Sequence, residues 1–200
     1  MATYSNQAAE STFIYQGLAT TNYGTNAELS LGLSGASQAR RSLVRFPSLP
    51  SGVSGVDSVV FSLFSSSEGM TNARSVYIAA SRRAWTQAGA TWNKYDGTND
   101  WGTAGAMNAS DYDSAMAFGN ASISATIAAN AEVQFTLNNT LFAAYLNAQS
   151  TYPGGFLVYM TEAATDYWNP HSNDAATAGY RPKLTFNYTI GGSAGMYMIL

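Results

Sequence analysis

Two short stretches constrain the fold of this chain more than anything else in it. Glu132 to Leu137 alternates Val133, Phe135 and Leu137 with Glu132, Gln134 and Thr136, and Lys183 to Thr189 alternates Leu184, Phe186 and Tyr188 with polar partners. A period of two sends every second side chain to the same face, so each stretch predicts a strand with one buried and one wetted face. Thr12 to Gln16, Glu28 to Leu33, Ser42 to Phe46, Val56 to Phe64, Ser75 to Ala80 and the continuous apolar run Phe156 to Met160 are further strand candidates. Turn-forming clusters separate them, among them Thr21 to Asn26, Pro47 to Gly52 and Pro153-Gly154-Gly155. The expected architecture is all-β, a sandwich of two antiparallel sheets.

One segment departs from the two-residue period. After Asn138-Asn139, which can cap a helix, Leu141, Phe142, Tyr145, Leu146 and Gln149 fall at helical spacing until Pro153-Gly154. A short helix closing one edge of the sandwich is expected there. Tyr95 to Asn130 loses any clear period and reads as long loops with short strands. Gly191 to Gly195 reads as a hinge and Met196 to Leu200 as an apolar tail, giving one domain over residues 1–190 and an extension over 191–200.

Composition narrows the function. Only 10% of the residues are charged, against the usual quarter or so, while Ser, Thr, Asn, Gly and Ala are abundant. The net charge is -3, and the basic dipeptides are Arg40-Arg41 and Arg82-Arg83, which is no surface for tracking phosphates. Nucleic acid is therefore not an expected partner. No apolar run approaches the roughly 18 residues of a membrane helix, so no membrane partner is expected either. With no cysteine, disulfides and thiolate metal sites are excluded. Met1 to Gln7 has neither a basic segment nor an apolar core, so no secretion signal is visible and the chain reads as complete.

Trp85 and Trp92 bracket a turn-forming segment, Thr86 to Thr91, and Trp101 follows. Trp85 and Trp92 are expected to be buried between sheet and loop. These residues also take part in a wider pattern. Asn22-Tyr23-Gly24-Thr25-Asn26, Arg40 to Phe46, Trp85 to Asn93, Trp101, Gly154-Gly155-Phe156-Leu157 and Tyr180 to Tyr188, in that order, resemble DNRLRE-type domains over residues 8 to 189. The resemblance implies a jelly-roll-like β-sandwich, used as a carbohydrate-binding module in secreted or wall-associated proteins and also found in bacteriophage structural proteins. It implies no catalysis. Where such domains often carry Asp on the first strand, this chain has Glu10.

The residues that could carry chemistry are few. His171 is the sole histidine, and no Gly-x-Ser-x-Gly elbow stands near a strand–helix junction to complete a triad. Asp96, Asp100, Asp111, Asp113, Glu162 and Asp166 would have to supply the facing carboxylates of a glycosidase. The chain is read as a non-enzyme. No cofactor is expected. Glu10 and the oxygen-rich stretches Asp96 to Asp100 and Asp111 to Asp113 offer oxygens to a structural Ca2+, but neither stretch has EF-hand spacing and no metal ligand is assigned.

Sugars lay their C–H faces on aromatic rings flanked by amides and acids. Trp168, Tyr167 and Tyr112, set among polar residues, are the expected exposed rings, with Asn169 and His171 adding hydrogen bonds. Arg45 is expected to pair with an acid. The leading functional expectation is a virion structural protein, a bacteriophage head-decoration, collar or tail-associated subunit that also adheres to glycans. Its partners would be further copies of itself and other virion proteins, with Met196, Tyr197, Met198, Ile199 and Leu200 docking into a neighbour. The alternative is a polysaccharide-binding module of a secreted or cell-surface protein. A glycan-cleaving enzyme ranks last.

Overall fold

The computed structural model describes residues 1–35, 38–67, 70–162 and 165–191. In chain order the elements are β1 (Ala2–Gln7), β2 (Glu10–Tyr15), β3 (Leu31–Leu33), β4 (Ala39–Arg45), β5 (Val53–Phe64), β6 (Arg74–Ser81), β7 (Tyr112–Ile123), β8 (Glu132–Thr136), α1 (Asn139–Asn147), β9 (Phe156–Met160), β10 (Asp166–Trp168) and β11 (Lys183–Ile190). Every strand pairing is antiparallel. One sheet has four strands in the order β1-β11-β5-β8. The other has seven, β10-β3-β4-β9-β6-β7 with β2 paired to β4. The chain changes sheets repeatedly, and the result is the expected jelly-roll-like sandwich with one short helix. The proposed tail contacts Met196 to Leu200 lie outside the described residues, as does the hinge beyond Gly191.

The expected alternation is realised on β8 and β11, and the candidate strand Val56 to Phe64 forms most of β5, which alternates over Ser58 to Phe61. Val59, Phe61, Leu63, Phe135, Leu184 and Phe186 point into the core between the sheets. Their neighbours Ser58, Gln134, Thr136 and Lys183 face outward and stay exposed or half-exposed, Ser62 being the buried exception. Helix α1 starts as expected at Asn138, whose side-chain oxygen accepts from the Leu141 N–H at 2.9 Å. Its Phe142, Tyr145 and Leu146 are buried, and it packs on β5 and β7, which belong to opposite sheets. The helix thus plugs an open side of the sandwich.

The seven-stranded sheet is buried on both faces. Val44, Val76, Ile78, Phe156, Val158 and Met160 join the core between the sheets, while Ala39, Leu43 and Leu157 join a second apolar core on the other side. That explains why Phe156 to Met160 is apolar without interruption: both sets of alternate side chains leave water. The second core is roofed by the loops between β6 and β7. Trp85 and Trp92 are buried there as expected, and Trp101 is buried with them. Trp85 donates its indole N–H to the Gly154 carbonyl at 2.6 Å and Trp101 donates to the Thr91 carbonyl at 2.9 Å. Gly105, at φ +89°, passes so close to Trp92 and the Arg41 guanidinium that an added Cβ would collide with both.

Part of the region read as loop is a long strand. β7 pairs with β6 through register shifts beside Ile78, Ala79 and Ala80. Each irregularity breaks the two-residue period, so Met116, Phe118 and Ile123 reach the core without showing an alternating pattern. β1 and the three-residue β10 were also unmarked by the pattern.

Candidate functional site

β2, β4, β3 and β10 bring four residues into a single cross-strand row. Tyr15 is the register partner of Arg40, Arg40 of Gly32, and Gly32 of Tyr167. Gly32, at φ +106°, contributes no side chain, and its Cβ position would run into the Asp166 carbonyl. The gap lets the Arg40 guanidinium lie 4.6 Å from the Tyr15 ring centre and 4.5 Å from that of Tyr167. A guanidinium held between two rings is stabilised from both sides by their quadrupoles.

Polar groups frame this stack. Arg40 Nη1 donates to Ser30 Oγ at 3.1 Å, and Ser30 Oγ donates to Asn169 Oδ1 at 2.8 Å. Arg40 Nε is buried with no acceptor, and among the described residues no carboxylate pairs with the guanidinium. The Tyr15 hydroxyl donates to Gln38 Oε1 and accepts from Ser34 Oγ at 3.1 Å. The Ser34 bond, helped by the Arg40 charge and against a burial effect, holds the Tyr15 phenol below its usual range. Tyr23, stacked on Phe13 with centroids 4.1 Å apart, lies close enough to feel Tyr15 and Arg40 electrostatically. Beside Tyr167 and Asn169 a cleft of about 320 Å³ opens, lined also by Thr71, Thr165 and Asp166.

Of the five expected glycan contacts, this site unites Tyr167 and Asn169. Tyr167 is 44% exposed, the one aromatic ring among the described residues that is both large and open to solvent. Trp168 corrects the expectation: it is 1% exposed, inside the core between the sheets, with its indole N–H on Ser65 Oγ at 3.0 Å. Strand alternation makes the difference, since successive side chains of β10 take opposite faces. The polar neighbours that suggested exposure are themselves engaged. Asp166 is buried and accepts from Thr71 N, Thr71 Oγ1 and Asn72 N.

His171 sits elsewhere. Its ring stacks on Tyr180 at 5.3 Å, Nε2 is 3.0 Å from Asn130 Oδ1, and burial holds its pKa below the usual value. Tyr180 in turn meets Phe64, which borders a cleft of about 560 Å³ with Gln7, Glu132 and Lys183 on the outward side of the four-stranded sheet. Tyr112 begins β7 and meets Tyr159 on the face of the seven-stranded sheet that carries the tryptophans. The expected contacts are therefore divided among separate surfaces. Tyr15, Ser30 and Arg40 were missed, and Arg40 and Arg41 lie ahead of the expected strand start at Ser42, whereas β4 begins at Ala39 and turns the two cations to opposite faces.

The acidic residues are spent on the protein itself. Asp111, fully buried, accepts from Arg83 Nε at 3.0 Å, Gly102 N at 2.8 Å and Thr103 N at 3.1 Å. Asp113 takes bonds from Arg82 and the Tyr152 hydroxyl, Asp96 from Thr98 N and Asn99 N, and Asp100 from Lys94. Glu10 pairs with Arg45, which also lies over the Trp85 ring at 5.0 Å. Among the described residues no group of three or more His, Asp or Glu gathers as a metal site would require.

An open tyrosine beside amides, hydroxyls and a guanidinium is a surface chemically suited to a sugar ring. The comparison with known families agrees: residues 2–151 match carbohydrate-binding module family 96, and the chain belongs to that family. No curated protein matches it. The matched span carries Tyr15, Ser30 and Arg40, whereas Tyr167 and Asn169 come from beyond it.

Proposed function

We propose that this protein is a non-catalytic glycan-binding module that contacts a polysaccharide through Tyr15, Arg40, Tyr167 and Asn169, the buried Ser30 holding Arg40 and Asn169 in place, outside the cell or at its surface. The observation that carries this reading is Tyr167: an exposed ring, backed by a guanidinium and continuous with the Ser30–Asn169 hydrogen bonds. A sugar ring stacks its apolar face on such a tyrosine, and hydroxyls along its edge meet the Arg and Asn groups. Membership in a carbohydrate-binding family supports the ligand class. It favours the secreted or cell-surface reading over the virion subunit, whose proposed docking tail lies outside the described residues. The finer likeness to DNRLRE-type domains is consistent with the same ligand class.

The test is a polysaccharide array probed with the full chain, followed by titration of the best ligand against Tyr167→Ala. Loss of the stacking ring is expected to weaken binding about tenfold or more, equivalent to about 1.4 kcal/mol. A variant that binds as tightly as the parent protein would move the contact away from this row.

A further inference from the structure

Strand geometry separates the adjacent cations Arg40 and Arg41. While Arg40 joins the edge cluster, Arg41 turns to the tryptophan face and is only 8% exposed. Its Nε and Nη2 donate to the two oxygens of Glu162 at 2.8 and 3.0 Å, Nη1 donates to the Gly105 carbonyl, and the guanidinium lies 4.7 Å from the Trp92 ring. The two-pronged bond fixes both groups and cancels their charge locally.

Three tyrosines stand next to this pair. Tyr77 and Tyr159 are register partners on β6 and β9, and their rings stack with centroids 5.1 Å apart and an interplanar angle of 13°. Tyr112 meets Tyr159 edge-on at 6.3 Å. Each ring is half-buried, yet none of the three hydroxyls has a hydrogen-bond partner among the described residues. Burial pushes the Tyr159 phenol up, and the nearby Tyr112, Tyr77 and Glu162 add to that against Arg41. The phenols and the ion pair thus crowd into the same small space. Between them runs a groove of about 190 Å³, lined by Arg41, Tyr77, Met107, Tyr159, Thr161 and Glu162.

The hydroxyls of Tyr77 and Tyr159, which line the groove, are not among the buried unpartnered atoms and are open to solvent, so they present donors and acceptors to a ligand. The volume falls below the roughly 300 Å³ at which drug-sized sites begin, which restricts the occupant to about one ring. The neutralised Arg41–Glu162 pair offers no net charge for an ionic group, whereas the carboxylate retains lone pairs for hydroxyl donors. We propose that this groove is a second saccharide site, taking a single neutral hexopyranose ring. The C–H face of the sugar rests on the open outer face of the Tyr77–Tyr159 stack, and its hydroxyls bond the phenols and Glu162. The proposal rests on the glycan-binding reading for its ligand class, but not on the Tyr167 cluster. Two sites on opposite faces of one sheet would allow the module to engage two chains of a polysaccharide network, or a chain and a branch.

The experiment titrates the 15N-labelled full chain with the methyl pyranosides of glucose, galactose and mannose, following amide shifts. Saturating shifts at Tyr77, Met107, Tyr159 and Thr161 with at least one glycoside are expected. Tyr77→Ala should weaken that binding about tenfold or more and Tyr159→Phe, which keeps the ring, several-fold, while Tyr167→Ala leaves it unchanged. Shifts confined to Tyr15, Arg40 and Tyr167 would overturn the second site and leave the first standing. Shifts confined to the groove would support it and overturn the placement at Tyr167. Silence at the groove amides with all three glycosides overturns the proposal, as does parent-like affinity in both Tyr77→Ala and Tyr159→Phe.

Discussion

The two cores on either side of the seven-stranded sheet are held by different physics. Between the sheets, Phe156 touches a cluster of rings, with Tyr145 at 5.3 Å, Phe118 at 5.6 Å, and Phe46 and Phe61 at 5.8 Å between centroids. Its stability comes from apolar burial and packing, which have no preferred direction. On the other face, indoles are covered by irregular chain, and that roof is fastened by directional bonds: Asp111 to Arg83, Gly102 and Thr103, Arg41 to Glu162, Trp101 to Thr91. Loops have no ladder of their own, so a loop-built wall needs buried acids and indole N–H groups to satisfy its backbone. The inner core should therefore fail as a whole and the outer one locally.

The largest effect is expected from Phe156→Ala. It removes the ring on which the inner aromatic cluster converges and should cost about 3–5 kcal/mol, read as a lower midpoint in urea with a single cooperative transition. Next comes Asp111→Ala, which leaves the Gly102 and Thr103 N–H groups and Arg83 without their acceptor, at about 2–3 kcal/mol. Here hydrogen exchange is the sharper readout. Protection should fall first over Trp92 to Asp111 while the amides of β5 and β11 stay protected. Uniform loss of protection would mean that both cores unfold as one unit.

The same contrast governs how much the sequence revealed. Phe135, Leu137, Leu184 and Phe186 announced the inner core because a one-sided strand must alternate. The Asn138 cap announced α1 because capping is local chemistry. The outer layer stayed illegible beyond the burial of its indoles, since Asp111 finds its partners through loop geometry that no periodicity encodes. At the candidate site, Tyr167 and Asn169 were visible as an aromatic beside an amide. Trp168 was misjudged because Asp166 and Asn169 look solvated in one dimension and are bonded in three. Tyr15, Gly32 and Arg40 come together only through strand register, which links residues far apart in the chain.

Acidification gives the smallest effect and the finest separation of the two cores. Asp96 is held below the usual carboxylate range by the Asn99 N–H, with help from the Asn99 side chain and Thr98 N–H. For Asp113, burial alone would raise the pKa, but the Tyr152 hydroxyl, the Ala115 N–H and Arg82 outweigh it and the net shift is downward. A carboxyl whose folded pKa is depressed contributes stability that is present above its unfolded value, about 3.9, and is lost as the pH falls through the folded value. Asp96 belongs to the loop-built side, whereas Asp113, on β7, accepts from the hydroxyl of Tyr152, a member of the core between the sheets. Below about pH 4 both sides lose a contribution, and the roof, fastened by directional bonds rather than apolar packing, should loosen first. Trp168→Phe provides the probe, because the remaining Trp85, Trp92 and Trp101 all belong to the outer core. Their fluorescence should shift to the red at a higher pH than the far-ultraviolet strand signal is lost. Coincident transitions would show that protonating these carboxylates costs both cores equally, and that the roof is no less stable than the sandwich beneath it.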